Sequence, residues 1–188
     1  RGYAGTIASG TVEVGQEIAV MPSGATTTVT AIESPEGDVA SASEGEAVTI
    51  RIDDNLDVSR GAMFSSTLEK PITDNSFDAT VCWMGERSAL RPGAMLRIKQ
   101  TTHTARAMVS GLECKIDINS LSTLGTCEEL NLNEIGQLTL RTSEPFVFDE
   151  YADARGTGSF ILIDESTNET VAAGMIGRPP YLGAAGKQ

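Results

Sequence analysis

The stretch "NEIGQLTLRTSEPFVFDEYADARGTGSFILIDESTNETVAAGMI", residues 133–176, decides the fold. Within it, "EIGQLTLRT" reads as one strand, and "GSFILID" and "ETVAAGMI" read as a hairpin closed by the turn "ESTN". The segment between them, Glu144 to Gly158, is predicted to be a connector that is too apolar to stay free of the protein. We expect Phe146, Phe148 and Tyr151 to pack back on the strands. Alternatively they form a partner-binding face together with Arg155, because aromatic and arginine side chains are favoured at interfaces.

The rest of the chain shows the same period of two. Apolar residues alternate with polar ones from Phe77 to Trp83, from Val48 to Ile52 and from Leu96 to Lys99. Such alternation predicts strands with one buried face. No run of ten or more residues carries a helical stripe, and Gly, Pro, Asn and Ser recur at roughly 8–12-residue intervals. The chain is therefore predicted to be all-β, as a sandwich or barrel.

A domain boundary is expected at "LEKPITDNS", because Pro71 cannot donate to a strand ladder and polar turn formers follow it. The predicted organisation is one domain over residues 1–70, a second over 71–178, and a tail over 179–188. The acidic segment "SPEGDVASASEGE", residues 34–46, is predicted to be an exposed, mobile loop.

Composition limits the classes of function. The 188 residues are 40% hydrophobic, which suffices for a packed core, and the formal net charge is −12. That charge argues against nucleic-acid binding, which relies on Lys and Arg. No apolar run is long enough to cross a bilayer, and no secretory signal is recognised. Cys82, Cys114 and Cys127 lack C-x-x-C spacing, so neither a disulfide framework nor a zinc site is predicted. The expected location is the cytoplasm.

No catalytic, cofactor-binding or metal-binding residue is predicted. The chain has no P-loop, since its only Gly-Lys pair, Gly186-Lys187, is not followed by Ser or Thr. His103, the only histidine, lies in a strand-like segment and is interpreted as structural rather than as a base or ligand. An enzyme with a site in a barrel mouth would need a pocket with converging polar groups, and the sequence names none.

Several motifs carry a family resemblance. "GTIASGTVEVGQEIAVMPSG", "GEAVTIRI" and "DVSRGAMF" resemble the second domain of translation-factor-type GTPases, whereas "LRPGAMLRIK", "LNEIGQLTL" and "VAAGMI" resemble the third. "NEIG" and "RGTGSFILID", residues 155–164, are similar to the large, GTPase-type subunit of bacterial sulfate adenylyltransferase, including forms fused to adenylylsulfate kinase. The resemblance implies two consecutive small antiparallel β-barrels of the domain II and domain III type.

In that family a preceding domain hydrolyses GTP, and a separate small subunit joins sulfate to the adenylyl group of ATP with release of pyrophosphate. This sequence lacks both the P-loop and the guanine-reading N-K-x-D motif. The resemblance therefore implies a non-catalytic scaffold with no cofactor of its own, while GTP, ATP and Mg belong to the parent complex. The partners it implies are the chain's own GTPase domain, the catalytic small subunit and, in some forms, a fused kinase domain. Tyr151 and Arg155 are the predicted partner-interface residues.

The alternative function is that of a tandem barrel from a translation factor, which would contact tRNA or the ribosome. Contact with tRNA requires a basic stripe. The acidic composition and the specific "NEIG" and "RGTGSFILID" strings favour the sulfate adenylyltransferase interpretation.

Overall fold

The computed structural model describes residues 1–179, which form fifteen strands. The first eight are β1 (Gly2–Thr6), β2 (Thr11–Glu13), β3 (Glu17–Met21), β4 (Ala25–Ser34), β5 (Gly37–Val39), β6 (Ser41–Ser43), β7 (Ala47–Ile52) and β8 (Met63–Ser66). The others are β9 (Ile72–Trp83), β10 (Met95–Gln100), β11 (His103–Asp117), β12 (Ser122–Thr123), β13 (Ile135–Phe148), β14 (Ser159–Ile163) and β15 (Thr170–Ile176). Over this range the structure contains no helix with the length and hydrophobicity needed to cross a membrane. The all-β prediction is confirmed.

The chain divides into two compact units, one over Arg1–Ile72 and one that begins at Thr73. The sequence predicts the division at Pro71. Of the predicted tail, residues 180–188 lie outside the described residues.

The first unit consists of a six-stranded sheet and a two-stranded ribbon. The sheet has the order β1-β7-β4-β3-β8 with β5 attached to β4, and the ribbon is formed by β2 and β6. Val12 and Ala42 from the ribbon share one core with Ile18, Val29 and Ile32 from the sheet. Sheet and ribbon therefore enclose a common apolar interior.

The prediction of a loop over residues 34–46 is wrong. Ser34 pairs with Gly37 across a tight turn, so that β5 returns along β4, and β6 then pairs with β2. Ala42 is buried in the core. The sequence pattern does not predict these strands, because their residues are small or acidic and only one side chain in β6 faces inward.

The second unit contains a closed barrel. Its strands follow the order β10-β14-β15-β9-β13-β11, and pairing of β10 with β11 closes the ring. β12 lies outside the ring, on β11. The inward positions carry the alternating apolar residues predicted from sequence, including Phe77, Ala79, Val81 and Trp83 on β9. The third-domain-type barrel is therefore present.

Strand β13 is longer than predicted. It continues past Thr142 through Pro145 to Phe148, so the first part of the expected connector is a strand. Phe146 and Phe148 are buried, and their ring centroids lie 5.7 and 4.8 Å from that of Phe77. The predicted packing of both phenylalanines is confirmed. The sequence does not predict this part of the strand, because residues 146–148 are all buried and so break the alternation of apolar and polar side chains.

The "NEIG" motif forms the turn that leads into β13. Asn133 has φ 66°, a left-handed conformation that Asn tolerates. The Glu134 carboxylate accepts a hydrogen bond from Asn131 N at 2.6 Å and pairs with Lys115 Nζ at 2.7 Å. Gly136 lies so close to its neighbours that a Cβ would be 2.7 Å from Leu130 Cδ2 and 2.9 Å from the backbone oxygen of residue 114. The motif is therefore structural.

Replacement of Gly136 by alanine is expected to destabilise the barrel. The new Cβ would overlap backbone, which cannot move as a side-chain end can, so the free energy of unfolding should fall by about 2 kcal/mol. Urea unfolding followed by the fluorescence of Trp83, the chain's single tryptophan, reports on this unit. Gly111→Ala is the control, because its Cβ would meet nothing within 4 Å. Equal stability of the two variants would contradict the argument.

The ion pair between Glu134 and Lys115 should make the free energy of unfolding depend on pH in the acid range. The hydrogen bond from Lys115 lowers the pKa of Glu134 below its ordinary value of 4.5 in the folded state. Its stabilising contribution is therefore complete above that value and is lost as the pH falls through the lower, folded-state pKa. Thermal melts between pH 3 and 7 should show wild type above Glu134→Gln at neutral pH, with the gap closing in acid. The exposed Glu86→Gln should show no such gap.

Candidate functional site

The connector that follows β13 is fixed to the barrel. Tyr151 N donates to the Ile176 carbonyl at 3.0 Å, and Ile176 N donates to the Gly158 carbonyl at 2.7 Å. The buried Gln100 side chain donates from Nε2 to the Thr157 carbonyl, and the Thr157 hydroxyl donates to the Asp149 carboxylate. These bonds hold residues 149–158 against β15 and β10.

The second glycine of the "RGTG" string, Gly158, is required by close packing. A Cβ on Gly158 would lie 2.4 Å from Tyr151 Cα and 2.7 Å from the Ala154 carbonyl oxygen. The Gly158 amide donates to that same Ala154 carbonyl at 2.8 Å. Only glycine lets the two arms of the connector approach this closely, and their approach sets the position of Tyr151.

The two predicted interface residues take different positions on the connector. Tyr151 is half-buried and lines a groove on the outer face of the barrel. Arg155 is exposed, does not line the groove and forms no ion pair with residues 1–179. Their contact with a partner remains a prediction.

The groove has a volume of about 620 Å³ and crosses four strands. Strand register sets one row of outward side chains across it, in the order Lys99, Ile161, Ala173, Cys82. Ala173 is exposed, and Ile161 and Cys82 are half-buried. Cys82 lies on the outer face of β9, opposite to the buried face that carries Val81 and Trp83. This row gives the groove an apolar floor with one ammonium group at its end.

A second row contributes polar atoms. Ser159 pairs with Met175, and Met175 pairs with Thr80. Thr80 is only 3% exposed, and its Oγ1 has no hydrogen-bond partner among the described residues. A buried hydroxyl without a partner is costly. The groove therefore suits an apolar group that brings a hydrogen-bond acceptor or an acidic group.

Apart from Tyr151, the residues that line the groove are not predicted from the sequence. Ile161, Ala173 and Met175 belong to apolar runs in which inward and outward positions have the same character. The only signal was that β14 and β15 lack the polar alternation of an ordinary solvated strand face. The register of β14 and β15 with β10 and β9 aligns these outward positions into one surface.

Over residues 1–179, no three His, Cys, Asp or Glu side chains are placed to hold a metal ion. The His103 ring packs edge-on against Phe146, with centroids 5.0 Å apart, and its Nε2 lies 3.4 Å from a Glu144 carboxylate oxygen. This packing agrees with a structural histidine.

Two of the barrel thiols, those of Cys114 and Cys127, are expected to be unreactive. Burial raises the pKa of the Cys114 and Cys127 thiols above the ordinary value of 9.0, so little thiolate forms at neutral pH. Alkylation by iodoacetamide at pH 7.5, followed by peptide mass spectrometry, should modify both thiols far more slowly than in the urea-unfolded chain. Modification of either thiol at the unfolded rate would contradict this expectation.

Comparison with known proteins identifies the family. A family model described as GTP-eEF1A C-terminal domain-like matches residues 76–177. The chain is 48% identical over 176 residues to the bifunctional enzyme CysN/CysC of Mycobacterium tuberculosis H37Rv, covering 94% of this chain and 29% of that protein. It is 45% identical to sulfate adenylyltransferase subunit 1 of Aeromonas hydrophila, covering 94% of this chain and 37% of that protein. The chain thus spans about a third of the length of these relatives.

Solved structures of translation-factor GTPases share the fold. Sup35 complexed with GMPPNP superimposes with a TM-score of 0.84 at 23% identity, covering 92% of this chain and 42% of that one. Elongation factor SelB from Methanococcus maripaludis gives a TM-score of 0.71 at 20% identity, covering 93% of this chain and 38% of that one. The predicted fold class and the predicted resemblance are both confirmed. Because the family match spans more than half of the chain, the protein belongs to the GTP-eEF1A C-terminal domain-like family, and sulfate adenylyltransferase subunit 1 proteins are among its homologues.

Proposed function

We propose that this chain is a non-catalytic barrel module of a GTP-dependent sulfate adenylyltransferase large subunit. Its role is to hold the GTPase domain of the parent protein and to provide a contact surface for the catalytic small subunit in the cytoplasm. In forms like CysN/CysC, a fused kinase domain is a further partner. The observation that carries this proposal is the 45–48% identity to CysN/CysC and subunit 1 proteins across 94% of the chain.

The chemistry of the groove supports a binding role. Among the residues that the structure describes, its lining supplies one ammonium group, Lys99, together with hydroxyls and apolar side chains, and no carboxylate. Magnesium in nucleotide sites is held by carboxylates and phosphate oxygens. We therefore assign the GTP, ATP and Mg of the parent complex to other parts of that complex.

The geometry of the connector supports a contact surface. Hydrogen bonds hold the Tyr151 backbone and its side chain is already half-buried, so little conformational freedom is lost when a partner covers it. Arg155 is free of ion pairs within the described residues and can pair with a carboxylate of the partner. Tyrosine and arginine, which the connector both presents, are residue types enriched among those that dominate binding energy.

The proposal predicts a stable complex with the small catalytic subunit from the same organism. Size exclusion with light scattering should detect the complex, and calorimetry should show that Tyr151→Ala and Arg155→Ala each weaken it about tenfold, the effect of losing about 1.4 kcal/mol. Arg87→Ala is the matched control, because Arg87 is equally solvent-facing and pairs only with Glu169 over residues 1–179.

Parallel measurements separate the alternatives. GTP and ATP should not bind to this chain alone, and nucleotide binding would overturn the assignment of a non-catalytic module. Absence of a complex would count against the contact role. Binding of tRNA, with the salt dependence that phosphate contacts produce, would favour the translation-factor alternative. Affinity for the small subunit that is insensitive to high salt would exclude an electrostatic contribution from the acidic surface.

A further inference from the structure

A second apolar surface lies at the hairpin formed by β11 and β12. Ile116 pairs with Thr123 and Asp117 with Ser122, so that the chain turns over the residues between them. Three large hydrophobic side chains are exposed among the seven residues 118–124. The exposed fractions are 65% for Ile118, 52% for Leu121 and 60% for Leu124. Contiguous exposed hydrophobic side chains mark interaction sites on soluble proteins.

The backbone of the hairpin tip is strained. Leu121 has φ 51°, in the left-handed region that a bulky residue rarely adopts. Beside it, the Asp117 carboxylate accepts a hydrogen bond from Asn119 N at 2.8 Å, which fixes the start of the turn. The turn thus holds a leucine in an unfavourable conformation and leaves its side chain in solvent. Such strain is concentrated at sites with a function.

A polar pocket of about 320 Å³ adjoins the hairpin. Thr123 and Gly125 line it from the hairpin side, and Gln137 and Cys114 line it from the barrel. Gln137 is only 5% exposed. Its Oε1 lies 3.8 Å from Cys114 Sγ, whereas its Nε2 has no acceptor among the described residues. An amide donor buried without an acceptor is costly, and a carbonyl oxygen from outside would satisfy it.

The charges around the pocket are mainly negative. Arg178 Nη2 lies 2.7 Å from a Glu113 oxygen and 3.4 Å from an Asp78 oxygen, so one guanidinium faces two carboxylates and one negative charge remains. Asp117 at the hairpin adds a second negative charge and forms no ion pair within residues 1–179. An occupant of this surface is therefore expected to carry Lys or Arg rather than Asp or Glu.

From these four observations we infer that residues 117–125 and the adjoining pocket form a docking surface for an extended segment of a protein partner. Apolar side chains of the segment pack on Ile118, Leu121 and Leu124. A backbone carbonyl of the segment accepts the hydrogen bond from Gln137 Nε2, and a basic side chain faces Glu113 and Asp117. This inference rests on the proposed function in one respect: the partner is the catalytic small subunit.

The test measures the affinity of the whole chain for that small subunit by calorimetry. Leu121→Ser should weaken binding about tenfold, since it removes the central apolar contact of the tip. Leu68→Ser is the matched control, because Leu68 is a leucine of the first unit that is 92% exposed. The control should bind as wild type does.

A second variant separates docking from a loss of structure. Gln137→Met keeps the volume of the side chain but removes its unpartnered amide. Its unfolding midpoint in urea, read from Trp83 fluorescence, should be equal to or higher than that of wild type, whereas its affinity for the small subunit should fall about fivefold to tenfold. Simple damage to the barrel would lower both quantities.

The outcomes distinguish the two proposals. If wild type binds the small subunit and Leu121→Ser binds equally well, the docking inference is overturned and the proposed function stands. If wild type does not bind, both are overturned. If light scattering shows that the chain alone self-associates through Leu121, the occupant is a second copy, and the assignment of this surface to the small subunit is wrong.

Discussion

The closure of the second barrel is the constraint on which its functional surfaces depend. Pairing of β10 with β11 joins the two ends of a six-stranded ring. A ring of this size has an interior that side chains fill completely. Here the core is largely aliphatic, and Phe77 contacts Phe146, Phe148 and Phe160 within it. Since the interior is packed, any binding surface must lie on the outer face of the strands or where the chain leaves the ring.

Glycine makes this packing possible at a few close approaches. Phe160 on β14 pairs with Gly174 on β15, and its ring lies over the glycine. A Cβ on Gly174 would be only 2.3 Å from that ring. Gly158 serves the connector in the same way, against the Tyr151 backbone. The family strings "AAGMI" and "RGTG" are thus consequences of close packing. They establish the shape of the barrel.

The two surfaces that the barrel presents differ in chemistry. The groove offers an apolar floor with Lys99 at its end, and so it suits a partner that brings an acidic group. The hairpin and its pocket combine exposed hydrophobic side chains with a residual negative charge, and so they suit a basic partner segment. A contact protein that used both would present opposite charges at two places, which fixes the orientation of the complex.

The sequence by itself determined the all-β class, the inward faces of the strands, the β14–β15 hairpin and the family. These features depend on local alternation and on turn residues, which are visible one segment at a time. It did not reveal the full length of β13, because residues 146–148 are buried on consecutive positions.

Only the tertiary structure decided that Ile161, Ala173 and Cys82 form one row, since register between strands distant in sequence creates it. Only the tertiary structure showed that Leu121 is exposed and that Thr80 and Gln137 lack hydrogen-bond partners within residues 1–179. Burial and hydrogen-bond satisfaction depend on what every other strand leaves uncovered.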